Sequence, residues 1–263
     1  MGKALVTGAG TGIGRAIALE LAQRGYELAL VGRRWDPLEE VSEKIRSEGG
    51  RCVIIPADLA LAEERHKICE SARNELGGLD LLVNNAGVLS AGPLNRLGSE
   101  ELEQAIATNL TAPIDLTRLF LSELSQSKGC VVLVASGAAY LPLPYMSVYC
   151  ATKAGLRTAG EVLRFELRAL GVQLLVAYPP FTATPMTERL AGTREIPVRV
   201  AQPEVIGRMI TRAALAGRSE YFCAWSDWAL DKAVRFAPRV VRSVLRWRQP
   251  QFERLVEAER RGR

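Results

Sequence analysis

A short apolar strand running straight into a glycine-spaced turn and then a helix constrains this chain more than any other feature. Lys3-Ala4-Leu5-Val6 reads as a buried strand, Thr7-Gly8-Ala9-Gly10-Thr11-Gly12-Ile13-Gly14 follows, and Ile17, Leu19 and Leu21 begin a helical pattern. Glycine accepts positive φ and lets the backbone approach a ligand, while the free N–H groups and dipole at a helix start favour a phosphate. The turn is therefore read as an anion cradle. Its spacing departs from Gly-x-Gly-x-x-Gly, so the rest of the chain must supply the context.

Strand-like runs recur at Leu28–Val31, Cys52–Pro56, Leu79–Val83, Cys130–Ala135, Val172–Ala177 and Ser219–Cys223, separated by helical stretches. That alternation predicts an α/β fold in which a doubly wound parallel sheet carries helices on both faces. With 263 residues, 48% of them hydrophobic, the chain has enough material for one large core. Residues 1–225 are read as a single Rossmann-type domain, with residues 226–263 as an extension. The ligand crevice is expected at the carboxyl ends of the strands.

Tyr149 and Lys153 lie four residues apart in Val148-Tyr149-Cys150-Ala151-Thr152-Lys153, so on a helix they share one face. A cation beside a phenol favours its ionised form, and the pair then exchanges a proton nearer neutral pH. Taken alone, the spacing fits a solvated helix face equally well.

Thr7-Gly8-x-x-x-Gly12-Ile13-Gly14, Asn84-Asn85-Ala86-Gly87, Asn109, Ser136, Tyr149 and Lys153, in that order, resemble the short-chain dehydrogenase/reductase family over roughly residues 3 to 225. The resemblance implies hydride transfer between a nicotinamide and a carbonyl or carbinol carbon. In that scheme Tyr149 gives or takes the proton, Ser136 holds the reacting oxygen, and Lys153 binds the nicotinamide ribose and lowers the tyrosine pKa. Asn109 would hold a water in a proton relay, although a mid-helix asparagine also caps or kinks helices. The resemblance further implies cofactor contacts by Gly8, Gly10, Thr11, Gly12, Ile13 and Gly14, by Asp58 and Leu59, by Asn85, Ala86 and Gly87, and by Pro179 and Thr184. Pro179-Pro180 replaces the family's usual Pro-Gly, so an altered path is expected near Thr184.

The second strand ends in Gly32-Arg33-Arg34, with no carboxylate to accept hydrogen bonds from a ribose diol. Arginine there suits the 2′-phosphate of NADP, so NADP(H) is the expected cofactor and reduction the expected direction. Thr11 stands where NADP-preferring relatives often carry a second basic residue, and Arg15 is close enough to compensate. Ala138, Tyr145 and Phe181 join Ser136 as expected substrate contacts, with Leu141–Pro144, Met186 and the Thr187–Val200 loop around them. This lining is mostly apolar and fits a hydrophobic ketone, a 3-oxoacyl group or another lipid-like substrate, unless the same residues only pack the loop. A catalytically idle Rossmann protein that senses the cofactor or binds a partner is the alternative.

The five cysteines, at 52, 69, 130, 150 and 223, lack metal-ligand spacing, and His66 has no obvious co-ligands, so no metal is expected. No signal peptide or spanning segment is read, and a cytoplasmic protein is expected. From Trp225 onward, Lys232 and nine arginines face five carboxylates, so the whole net charge of +5 lies in this tail. Phe236, Val240, Val241, Val244, Leu245 and Trp247 interleave with the arginines as a basic amphipathic helix begun or interrupted near Pro238. Contact with an anionic membrane surface, packing over the substrate mouth, and packing on a partner subunit in a homo-oligomer all remain open for it. Nothing else resembles a nucleic-acid module.

Overall fold

A computed structural model describes residues 2–187 and 200–261. Its strands are β1 (Lys3–Thr7), β2 (Glu27–Gly32), β3 (Cys52–Pro56), β4 (Leu81–Asn84), β5 (Cys130–Val134), β6 (Gln173–Tyr178) and β7 (Glu220–Phe222). All pair in parallel, in the order β3-β2-β1-β4-β5-β6-β7. The order reverses between β1 and β4, which opens a crevice at the carboxyl edge where the chains diverge.

The helices are α1 (Gly12–Gln23), α2 (Trp35–Ser47), α3 (Ala62–Leu76), α4 (Ser99–Ile106), α5 (Ala112–Leu119), α6 (Leu121–Ser127), α7 (Ser147–Ala169), α8 (Pro203–Leu215), α9 (Trp225–Phe236) and α10 (Pro238–Arg261). Because side chains alternate across a strand, Leu5 joins the core packed by Ile68, Leu116 and Leu156 of α3, α5 and α7. Its neighbours Ala4 and Val6 join the opposite core, packed by Ile17, Val41 and Ile206 of α1, α2 and α8. Both faces of the sheet are thus covered, and the strands are nearly continuously apolar for that reason.

The strands follow the sequence reading to within two residues. β4 begins at Leu81 rather than Leu79, and Asp80 just before it is tied to β1 by its N–H, which donates to the Lys3 carbonyl at 2.9 Å, and by its carboxylate, which accepts from the Lys3 N–H at 2.7 Å. A second departure falls between α4 and α5, where Ala107–Thr111 forms a π-helical turn with Asn109 inside it. Such turns widen a helix by one residue and re-aim the side chains that follow.

The tail folds back on the body. Asp231 of α9 is 1% exposed, and its carboxylate accepts from Arg157 Nη1 of α7 at 2.6 Å. Burial pushes the Asp231 carboxyl up, but the hydrogen bond and charge of Arg157 outweigh it and hold the group below its ordinary range. α10 starts at Pro238, where the missing N–H is harmless in a first turn. Among the described residues, no helix is long and apolar enough to cross a membrane.

Candidate active site

The glycine turn hands β1 to α1 in a shape that only glycine permits. Gly8 and Gly12 hold φ at 66° and 55°, and a Cβ at Gly14 would collide with the Gly8 carbonyl oxygen and Asn85 Nδ2. Thr11 precedes α1 in extended conformation and makes no side-chain capping bond, which leaves the first N–H groups of the helix to a ligand. Ile13 packs into the α1-side core rather than toward the crevice.

Thr7, passed over as a site residue in the sequence, fastens the two strands that flank the crevice. Its hydroxyl accepts from the N–H groups of Asn85 at 2.9 Å and Ala86 at 3.0 Å and donates to the Val83 carbonyl at 3.2 Å. Asn85 Nδ2 donates in turn to the Thr7 carbonyl at 3.0 Å. Asn85 therefore serves the architecture with its side chain, while Ala86 and Gly87 line the crevice.

From this junction a cleft of about 150 Å³ runs past Gly8, Gly10 and Thr11 to Gly32, Arg33 and Arg34, with Asp58 and Leu59 on its other wall. Arg33 and Arg34 are exposed, and neither has a salt-bridge partner among the described residues. One Asp58 oxygen accepts from the Ala60 N–H at 3.0 Å, which fixes the direction of the carboxylate. The glycine cradle, uncapped helix start and unpaired cations fit the pyrophosphate and adenosine end of a dinucleotide.

At the far end, α7 carries Tyr149 and Lys153 toward the end of β5. Ser136 follows β5 in extended conformation, and its Oγ accepts from the Ala138 N–H at 3.2 Å. Burial raises the Tyr149 pKa, and a hydrogen bond with Ser136 works against that rise. Lys153 is 4% exposed, and its Nζ donates to the Val134 carbonyl at 3.0 Å. Burial depresses the lysine to about 8. Against the expectation of a lowered tyrosine pKa, Tyr149 stands raised: Lys153 Nζ lies 5.9 Å from the centre of the phenol ring, and burial is the largest influence on both groups.

Asn109 is fully buried within the π turn. Its Oδ1 accepts from the Val88 N–H at 2.8 Å, and its Nδ2 donates to the Val88 carbonyl at 2.9 Å and to Thr152 Oγ1 at 3.2 Å. The side chain clamps the post-β4 loop to α7, one residue from Lys153. Gly87 sits in front of this group, since a Cβ there would stand 3.2 Å from Asn109 Oδ1 and 3.6 Å from Lys153 Nζ. The sequence identified Asn109, but not the backbone clamp that it makes.

Beyond β6, Pro179 is buried and Thr182 Oγ1 donates to the Pro180 carbonyl at 2.8 Å. Thr184 Cγ2 lies 2.8 Å from where a Gly12 Cβ would be, so this threonine meets the glycine turn directly. Thr187 closes that stretch by donating to the Thr182 carbonyl at 2.5 Å. Apart from Thr187 and Val200, the Thr187–Val200 loop lies outside the described residues.

The wall beside Tyr149 is apolar and is shared with the tail. Phe252, Leu255 and Val256 of α10 cluster with Ala91 and Met146, against which Leu143, Tyr145, Tyr149, Cys150 and Phe181 pack. Tyr145 holds a left-handed φ of 62°, rare for a bulky residue, and its hydroxyl accepts from Gln249 Nε2 of α10 at 3.3 Å. Ala138 is buried behind Ser136. Cys150 donates to the Leu141 carbonyl at 3.7 Å and its thiol is pushed up by burial, so it behaves as a packed residue. Sequence pattern left packing over this wall as one of three open placements for the tail helix, and Phe252, Leu255 and Val256 make that contact.

A doubly wound sheet with a phosphate cradle at its switch point and a hydroxyl pair beside a buried ammonium defines a nicotinamide-linked oxidoreductase. Residues 2–195 match the family model of short chain dehydrogenases, and the chain belongs to that family. It is 32% identical over 234 residues to 11-beta-hydroxysteroid dehydrogenase-like 3 of Arabidopsis thaliana, covering 85% of this chain and 74% of that one. It is 37% identical over 193 residues to mouse (Mus musculus) 17-beta-hydroxysteroid dehydrogenase type 3, covering 71% of this chain and 62% of the relative. A short-chain dehydrogenase from Sphingobium yanoikuyae, solved with NADPH, superposes with a TM-score of 0.81 at 26% identity, covering 92% and 96% of the two chains. An alcohol dehydrogenase from the archaeon Thermococcus sibiricus, solved with 5-hydroxy-NADP, gives 0.75 at 27% identity, covering 84% and 95%.

Proposed function

We propose that this oxidoreductase uses NADPH to reduce the carbonyl group of a hydrophobic substrate. The observation that carries the reading is the layout of the crevice: the unpaired Arg33 and Arg34 at one end, and Ser136, Tyr149 and Lys153 under an apolar wall at the other. Two guanidinium groups with no salt-bridge partner among the described residues suit a 2′-phosphate.

The glycine turn, Arg33 and Arg34 would hold a reduced nicotinamide dinucleotide, which would supply hydride for the carbonyl carbon. Ser136 holds the carbonyl oxygen through its hydroxyl, and Tyr149 delivers the proton that turns the developing alkoxide into an alcohol. Lys153, already ammonium-bearing at neutral pH, would hold the nicotinamide ribose and offset negative charge left on the Tyr149 oxygen. Asn109 keeps the Val88 backbone and α7 in register so that these groups face one another. The hydroxysteroid names of two relatives and the apolar cluster of Leu143, Phe181 and Phe252 support a substrate such as a steroid-like or long-chain ketone.

The test is NADPH oxidation across long-chain 3-oxoacyl thioesters, steroid and retinoid ketones and small diketones, with NADH and Tyr149→Phe alongside. The expected result is turnover with an apolar ketone that falls by about 10²–10⁴-fold in Tyr149→Phe while NADPH binding is retained. Equal turnover by the two proteins would remove Tyr149 as the acid. Tight NADPH binding with no turnover of any carbonyl would favour a cofactor sensor.

A further inference from the structure

The two tail helices are closed on one side and open on the other. Inward, Asp231 locks α9 to Arg157, and Phe252, Leu255 and Val256 close over the substrate side. Outward, Trp225 is 78% exposed, Phe236 84%, Val240 63% and Trp247 75%, with Trp228 and Val244 also exposed. On α9, Trp225, Trp228, Lys232 and Phe236 follow one another at helical spacings of three and four and share a stripe. On α10, Val240, Val244 and Trp247 do the same, and Arg239, Arg242 and Arg246 form a second exposed stripe on the helix flank.

From Lys232 to Arg248 there are six cations and no carboxylate. An exposed apolar stripe of this size is unfavourable in water, and a dense basic flank is unfavourable in a protein core. The interface of an anionic bilayer satisfies both at once: indole and aliphatic groups enter the headgroup boundary while arginines reach lipid phosphates. Lys232 and Arg235 pair with Asp231 at 3.4 and 3.6 Å, and a second copy packed face to face would still set Arg239, Arg242, Arg246 and Arg248 against the same four cations and be repelled.

We propose that the outer faces of α9 and the first half of α10 seat the protein on an anionic membrane surface. The same helix then has one end in the lipid boundary and the other over Tyr145 and Phe181, so an apolar substrate passes between bilayer and cleft along α10. The membrane contact itself does not depend on the reductase reading; only the passage of substrate rests on it.

The experiment uses the full chain with vesicles of phosphatidylcholine alone and of phosphatidylcholine with roughly one-third phosphatidylserine, read by co-sedimentation and tryptophan emission. The wild-type protein is expected to sediment with the anionic vesicles, with emission moved to shorter wavelength, and to be released by salt. Arg239→Gln/Arg242→Gln should weaken binding about 30-fold, and Val244→Glu/Trp247→Glu should abolish it, both with unchanged melting temperature. Absence of binding to either vesicle, or undiminished binding by Val244→Glu/Trp247→Glu, would overturn the proposal. So would a wild-type dimer that becomes monomeric in that variant, which would identify a second copy as the occupant. None of these readouts requires turnover, so failure here is distinguishable from failure of the reductase reading.

Discussion

The Lys153 ammonium stands 5.9 Å from the centre of the Tyr149 ring and donates at 3.0 Å to the carbonyl of Val134. The two groups best placed for chemistry are each disfavoured in their charged forms by burial. A charge held in this way implies a stability reserve that function prevents the protein from using.

That reserve is measurable. The folded pKa of Lys153, about 8, lies below its ordinary 10.5, so between these values the unfolded chain binds more protons. This group's contribution to stability therefore rises with pH across that window. Lys153→Met should remove the rise, stabilise the cofactor-free protein at pH 7 by roughly 2 kcal/mol after loss of the Val134 bond, and abolish turnover. Urea denaturation at several pH values between 7 and 10 checks the sign.

Asn109→Ala would leave the half-buried Val88 N–H and carbonyl without their side-chain partner. The expected cost is about 2–4 kcal/mol of stability, read by urea denaturation, together with reduced turnover as α7 loses its tie to the post-β4 loop.

Arg33→Ala and Arg34→Ala test the adenosine end. Each should weaken NADPH binding about 10- to 100-fold and leave NADH binding unchanged, as titration of cofactor fluorescence would report. Equal weakening of both cofactors would assign the arginines to a general attraction for phosphate instead.

Phe252→Ala opens the wall contributed by α10. A loss of about 3 kcal/mol in stability is expected from the cavity, with a raised KM for bulky apolar ketones and unaltered NADPH affinity. Steady-state kinetics on substrates of graded size would separate this from simple unfolding.

What the sequence made legible was local. The passage from β1 through Gly8 and Gly12 into α1 is written in consecutive residues, and Tyr149 and Lys153 fall on one face by spacing alone. Arg65 is 6% exposed and its Nε donates to Asp115 at 2.7 Å, fifty residues away, a partner that its charged neighbours Glu63, Glu64 and Lys67 do not announce. Arg157 and Asp231 are separated by 74 residues and meet only because α9 returns to α7. The π turn around Asn109 likewise depends on Val88 and Thr152, which local propensity does not see. The hydrophobic stripe of the tail was visible, but which side faced inward was decided by distant partners such as Tyr145.

Phe252, Leu255 and Val256 pack beside Tyr149 from a helix that takes no part in the sheet, so under the proposed function substrate range and cofactor chemistry are separable inheritances in this chain. Changes along one carboxyl-terminal helix can recut the space beside Tyr149 while β1, the glycine turn and Lys153 stay untouched. Selection can therefore tune what the protein accepts without renegotiating how it reacts.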